Sequence, residues 1–183
     1  MSTTPRFRRI ATRTVADVQF LSFQVHDIET PAGETVERIV ITHPGAVAVV
    51  AVDGDDIILI EQYRAAAGGP VIEIPAGKID DPTHSKHETA HRELIEETGF
   101  SAHSLTWLTE IWTTVGFTDE RIAIYLAEGL TPGDREPVGA EESAATIVRM
   151  PFDEAVMHVR EGTISDAKTV IGILLAADQR GSS

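Results

Sequence analysis

The chain of 183 residues contains no cysteine, which excludes a disulfide framework and thiolate chemistry. It also lacks a long hydrophobic run. The longest uninterrupted apolar stretch, Ala46–Val52, is far shorter than the ~20 residues of a membrane-spanning helix. Arg6, Arg8 and Arg9 are not followed by an apolar segment, so no secretory signal is expected. Positive charge is scarce: 15 lysines and arginines stand against 29 acidic residues, for a net charge of −14. A nucleic-acid footprint would be basic, so nucleic acid is not an expected partner. An anionic substrate would need a cation and a few local arginines. With 42% apolar residues the composition is ample for a folded core. A soluble cytoplasmic protein with no membrane partner is expected, as one domain or one domain with an N-terminal extension.

What the chain does have is concentrated in Arg92-Glu93-Leu94-Ile95-Glu96-Glu97-Thr98-Gly99-Phe100. On a helix, Glu93, Glu96 and Glu97 share one face. Like charges at i,i+4 destabilise an isolated helix by roughly 0.2–0.5 kcal/mol per pair. A hard divalent cation turns that repulsion into coordination, because it takes carboxylate oxygens together with water and substrate phosphate. Taken alone, three acids would read as a solvated helix face. Their neighbours define the helix more closely. Asp81-Pro82-Thr83 is loop chemistry. Ser85 and Glu88 fit a capping box, Ala90 and Leu94 form a core-side pair, and Gly99 suits a left-handed stop. The spacing predicts a helix over roughly 86–98, preceded by a strand Val71–Ile74 and the loop Pro75-Ala76-Gly77. His87 and His91 are also i,i+4, but no H-E-x-x-H is present, and the histidines read as exposed residues.

Gly77, fourteen residues, and then the Arg92–Phe100 run resemble the Nudix box. The second half matches at each specified position. The first half is one residue longer than the common form, and Thr83 or His84 stands where the family has its first Glu. In the family that Glu supports the box arginine; here Glu88, four residues before Arg92, is the expected substitute, with His84 a partial stand-in. Gln62-Tyr63-Arg64, Glu73–Asp80, Gly116–Glu120 and Asp166–Thr169 resemble the ADP-ribose pyrophosphatase branch.

The resemblance implies an α+β fold: a Nudix-type α/β/α sandwich with a mixed sheet and an N-terminal strand extension. Residues 1–42 would form that extension and a dimerisation element; 43–183 would form the Nudix hydrolase domain. It implies hydrolysis of the diphosphate in ADP-ribose or a related nucleoside-diphosphate sugar, giving AMP and a sugar phosphate. The alternatives are another dinucleotide or nucleotide sugar, or a non-catalytic ligand-binding module. Mg²⁺ is the expected cofactor, with Mn²⁺ as a substitute. Its implied ligands are Glu93, Glu96, Glu97 and the Ala76 carbonyl. Arg64, Glu73, Arg38 and Glu120 are implied substrate contacts. The base is sought in the acidic loop Gly139–Ser143, where Glu142 is favoured over Glu141. The branch also implies a homodimer that exchanges N-terminal strands, with Phe20 and Phe23 as stacking or core aromatics.

Elsewhere, residues 17–42 read as two strands around Pro31-Ala32-Gly33, and 46–63 as a hairpin turning at Asp53–Asp56. Strands are expected over 104–115, 121–130 and 145–150. Helices are expected over Phe152–Glu161 and Ser165–Gln179, the second with Ile171, Leu174 and Leu175 facing the core.

Overall fold

A computed structural model describes residues 6–81 and 83–181. Residues 1–5 of the expected extension, Pro82 of the loop and the side chain of Glu141 lie outside the description. The chain divides into two units, Met1–Gly45 with Trp112–Arg121, and Ala46–Ile111 with Ile122–Ser183. The hairpin segment 112–121 therefore groups with the N-terminal strands.

In the first unit, β1 (Arg8–Val18), β2 (Leu21–Glu29) and β3 (Thr35–Thr42) form an antiparallel sheet in that order. The turn at Pro31–Gly33 is as expected, with Gly33 at φ 84°. Strand β1 was not anticipated over most of its length. All eleven of its residues are exposed, so it has no apolar face for a sequence pattern to reveal. Backbone bonds from Ile41 to Phe117 (2.7 Å) and from Asp119 to Ile41 (3.2 Å) hold the 112–121 segment against β3.

The second unit has an α/β/α core. Its strands are β4 (Ala46–Asp53), β5 (Asp56–Arg64), β6 (Gly69–Glu73), β7 (Ala76–Lys78), β8 (Phe100–Trp112), β9 (Arg121–Pro132) and β10 (Thr146–Pro151). Among the described residues the sheet order is β10-β5-β4-β9-β8, with β6 on β5 and β7 on β4. The sheet is mixed: β4 runs parallel to β9 and antiparallel to β5. Successive side chains of β4 point to opposite faces. Val47, Val49 and Ala51 pack with Ala90 and Leu94 of α1 (Lys86–Thr98). Ala48, Val50 and Val52 pack with residues of α3 (Phe152–Glu161) and α4 (Ala167–Gly181). Covering on both faces explains why Ala46–Val52 is continuously apolar.

Helix α1 has the expected bounds. Ser85 and Glu88 form a reciprocal capping box, and Gly99 ends the helix at φ 76°. Two expectations fail. The segment read as an acidic loop is a five-residue helix, α2 (Ala140–Ala144). On α4, Leu174 and Leu175 are exposed, and the core face is Thr169, Gly172, Ile173 and Ala176. Gly172 allows close approach: a Cβ there would lie 2.8 Å from Val50 and 3.1 Å from Ile74. Ile173 with small residues, rather than Leu174 and Leu175, sets that face.

Candidate active site

Strand β6, the turn Ile74–Pro75, β7 and α1 bring the central residues together. Glu93 and Glu97 are one turn apart on the buried side of α1. The Glu97 carboxylate accepts a hydrogen bond from the Ala76 backbone N–H at 2.7 Å. The Glu93 carboxylate lies against Gly77, where an added Cβ would fall 2.0 Å from its Cδ. Any side chain at 77 would therefore displace the Glu93 carboxylate from its present position.

Both carboxylates are almost fully buried, at 6% and 3% relative exposure. Burial pushes Glu93 up to about 7, opposed by the charge of Arg92 and reinforced by Glu96, Glu142 and Asp80. Burial pushes Glu97 up to about 8, opposed by the Ala76 N–H and reinforced by Glu93 and Glu142. Two buried acids carry too little positive charge around them to ionise at their ordinary value.

Arg92 pairs with Glu93 (2.7 Å), Glu96 (2.6 Å) and Asp80 (3.4 Å). Glu88 is not its support, because that carboxylate is committed to the Ser85 N–H and hydroxyl at 2.8 and 2.7 Å. His84 is not a stand-in either; it faces Asp81. Asp80 takes the bracing role, and nothing in the helical spacing pointed to a residue twelve positions before Arg92.

Arg64 and Glu73 meet, but chiefly each other. Arg64 donates from Nε and Nη2 to the two Glu73 oxygens at 2.6 and 2.8 Å. Glu73 is 1% exposed and also binds Lys168, which bridges to Asp166 at 3.0 Å. Thr169 hydroxyl caps the group by accepting from the Ile74 N–H at 2.9 Å and donating to Asp166 at 2.7 Å. The hydrogen bond to Glu73 raises the Arg64 pKa, and the charges of Glu73, Glu97 and Asp166 add to that effect. Arg64 therefore lies within electrostatic reach of the Glu97 carboxylate. Lys168 was missed as a site residue, although its segment carried the branch resemblance.

On α2, the Glu142 carboxylate accepts from the Val138 N–H at 2.6 Å, and its charge raises both Glu93 and Glu97. The remaining expected contacts lie in the first unit. Arg38 is exposed and donates to the Glu37 carbonyl at 2.8 Å. Glu120 accepts from Thr113 at 2.7 Å and faces His43 at 3.5 Å. Phe20 sets its ring edge-on to His43, with centroids 5.3 Å apart.

Among the described residues, no three acidic or histidine side chains already stand as a cation cage. The fit of a divalent ion rests on donor chemistry. Two buried, under-compensated carboxylates, one of them on the Ala76 N–H, supply the kind of oxygen ligand that a hard cation prefers. Glu96, held by Arg92, is one turn away on the same face.

A family model described as NUDIX domain matches residues 42–171. The chain belongs to that family and is a Nudix hydrolase. It is 36% identical over 167 residues to the methanol dehydrogenase activator of Bacillus methanolicus, covering 91% of this chain and 90% of that one. It is 35% identical over 167 residues to the ADP-ribose pyrophosphatase of Bacillus subtilis, with the same coverage. Among solved structures, a crystal structure of an ADP compounds hydrolase superposes with a TM-score of 0.83. Its sequence is 26% identical, and the match covers 100% of this chain and 99% of that one. That structure bears out the α+β class and the mixed sheet.

Proposed function

We propose that the protein hydrolyses the diphosphate of ADP-ribose or a related nucleoside-diphosphate sugar, releasing AMP and a sugar phosphate. The observation that carries this reading is the pair of buried carboxylates, Glu93 and Glu97, held against Gly77 and Ala76 with Arg64 in electrostatic reach. The relatives named for ADP-ribose and ADP compounds support the substrate class.

Mg²⁺ is the working cation in this reading, with Glu93, Glu97, Glu96 and the Ala76 carbonyl as its ligands. Such an ion supplies charge neutralisation of the diphosphate and a lowered pKa for a bound water. The chain's own residues do the rest. Two of the five N–H donors of Arg64 are committed to Glu73, which fixes the plane of the guanidinium, and the others suit a phosphate oxygen. Glu73 serves as the brace for Arg64. Glu142 takes the proton of the attacking water after leaving the Val138 N–H, with Glu141 as the alternative base. Arg38 and Glu120 are further proposed substrate contacts, Arg38 as a contact from the partner copy.

The reading also includes a cytoplasmic location and a homodimer formed through residues 1–42. Phe7, Ile10, Val15, Val18, Phe20 and Ile39 are all exposed in the first unit. An exposed apolar set on a three-stranded sheet favours burial against a second copy. Sedimentation across micromolar concentrations tests this, and a monomer throughout contradicts it. Among the described residues, no helix is long and apolar enough to cross a membrane.

The activity is tested with a panel of ADP-ribose, other nucleoside-diphosphate sugars and dinucleotides, with Mg²⁺ or Mn²⁺, read as released monophosphate. Release of AMP from ADP-ribose is expected. Turnover only of dinucleotides overturns the substrate class.

A further inference from the structure

Helix α2 has five residues, too few to form a stable helix alone. It begins at Gly139 with no side-chain cap. Something else must hold it. That support comes from the preceding loop. Arg135 donates from Nη2 to the Glu142 carbonyl at 2.9 Å and from Nη1 to the Ala145 carbonyl at 3.0 Å. Both carbonyls lie at the end of the helix, where a cation is favoured; that of Glu142 also accepts from the Ala145 N–H at 3.1 Å. The guanidinium is inserted deeply enough that its Nε is buried with no hydrogen-bond partner. An unmade buried donor is unfavourable, so the two clasp bonds must offset it. Arg135 thus grips the backbone of Glu142 itself, while Val138 holds its carboxylate through the 2.6 Å N–H contact.

We propose that Arg135 is a positioning residue for Glu142: by clasping the Glu142 and Ala145 carbonyls it fixes the backbone from which the Glu142 carboxylate is presented. This rests on the assignment of Glu142 as the base. Arg135 is engaged with backbone carbonyls and acts through the helix. Loss of the clasp leaves Glu142 chemically intact but free to sample other positions, and a base displaced by about 1 Å costs up to ~10²-fold in rate. Binding of substrate through Arg64 and the cation is unaffected.

The experiment is a double-mutant cycle read in kcat with ADP-ribose and Mg²⁺, and in Kd for ADP-ribose with Ca²⁺ in place of Mg²⁺. Arg135→Met is expected to lower kcat by about 10–100-fold and to change Kd by less than about threefold. Arg135→Lys, which retains a cation and can reach one carbonyl, is expected to recover part of the loss. In a Glu142→Gln background the further effect of Arg135→Met should shrink to less than about twofold, because coupled residues are not additive. Equal losses in both backgrounds overturn the proposal, as does a raised Kd with unchanged kcat. Wild-type-like turnover by Glu142→Gln removes the base assignment, and the proposal with it. A crippled Glu142→Gln with additive Arg135 effects sinks the proposal alone. Should Arg135→Met fail to fold, Arg135→Lys and Arg135→Gln complete the same cycle.

Discussion

Three glutamates of the second unit are buried to a similar depth, yet their surroundings differ. Glu73 is gripped by Arg64 through two hydrogen bonds and by Lys168, which is itself tied to Asp166. Its countercharges are built into the chain. Among the described residues, Glu93 has Arg92, shared with Glu96 and Asp80, while Glu97 has one backbone N–H and the more distant charge of Arg64. Both are pushed up, to about 7 and about 8, chiefly by burial. Desolvation of a charge is tolerated when a partner is present, and here one site has its partners while the other falls short of them. The first arrangement is a brace. The second, in the proposed function, is the place where a hard divalent cation supplies the missing charge.

The sharpest way to break this contrast is to neutralise one acid at each place. Glu97→Gln is expected to lower kcat by about 10²–10⁴, the range for losing charge stabilisation in the transition state. The metal-free variant should be as stable as the parent or slightly more so, because repulsion at i,i+4 is relieved. Near-wild-type turnover at saturating Mg²⁺ would show that Glu97 is no ligand. Glu73→Ala should behave in the opposite sense on stability. Removing it leaves Lys168, 8% exposed, without its main partner, and breaking a buried pair costs about 3–5 kcal/mol. Denaturant unfolding that shows less than about 1 kcal/mol lost would mean that Glu73 is not a brace.

A smaller effect sharpens the comparison through pH. The ordinary glutamate value is 4.5, and the folded values of Glu93 and Glu97 are about 7 and about 8. The stability given by the raised values is fully present below about pH 4.5 and is lost as pH rises through about 7 to 8. The metal-free protein should therefore melt lower at pH 8.5 than at pH 6.5. A change of about 1 kcal/mol or more corresponds to roughly 2–4 °C for a chain of this size. Glu97→Gln should flatten the slope. Parallel pH profiles of parent and variant would contradict the raised Glu97.

How much of this was legible in the sequence follows from the range over which each signal acts. The bounds of α1 were legible because Ser85, Glu88 and Gly99 act within one turn of the helix ends. The 46–63 hairpin was legible because its apolar runs and the turn residues are contiguous. The α4 face was misread because Gly172 and Ala176 pack by smallness, which a hydrophobic pattern undervalues. Strand β1 was missed because both its faces are exposed. At the site, the carboxylates and Gly77 were legible as a motif. The support was not: Asp80 on Arg92, Lys168 on Glu73 and Arg135 on α2 depend on contacts seven to 95 residues apart along the chain. Arg64 and Glu73 were both found, but as substrate contacts; their mutual bond is a property of paired strands β5 and β6.

The most direct test of the central claim is a calorimetric titration of Mg²⁺ into the metal-free protein at pH 7, in two buffers of different ionisation enthalpy. Carboxylates held partly protonated must lose their protons when they become ligands. Mg²⁺ binding is predicted to release about one proton, and Glu97→Gln to abolish most of both the affinity and the release, while Arg64→Lys leaves them in place. Equal Mg²⁺ binding by parent and Glu97→Gln, with no proton released by either, would contradict the account.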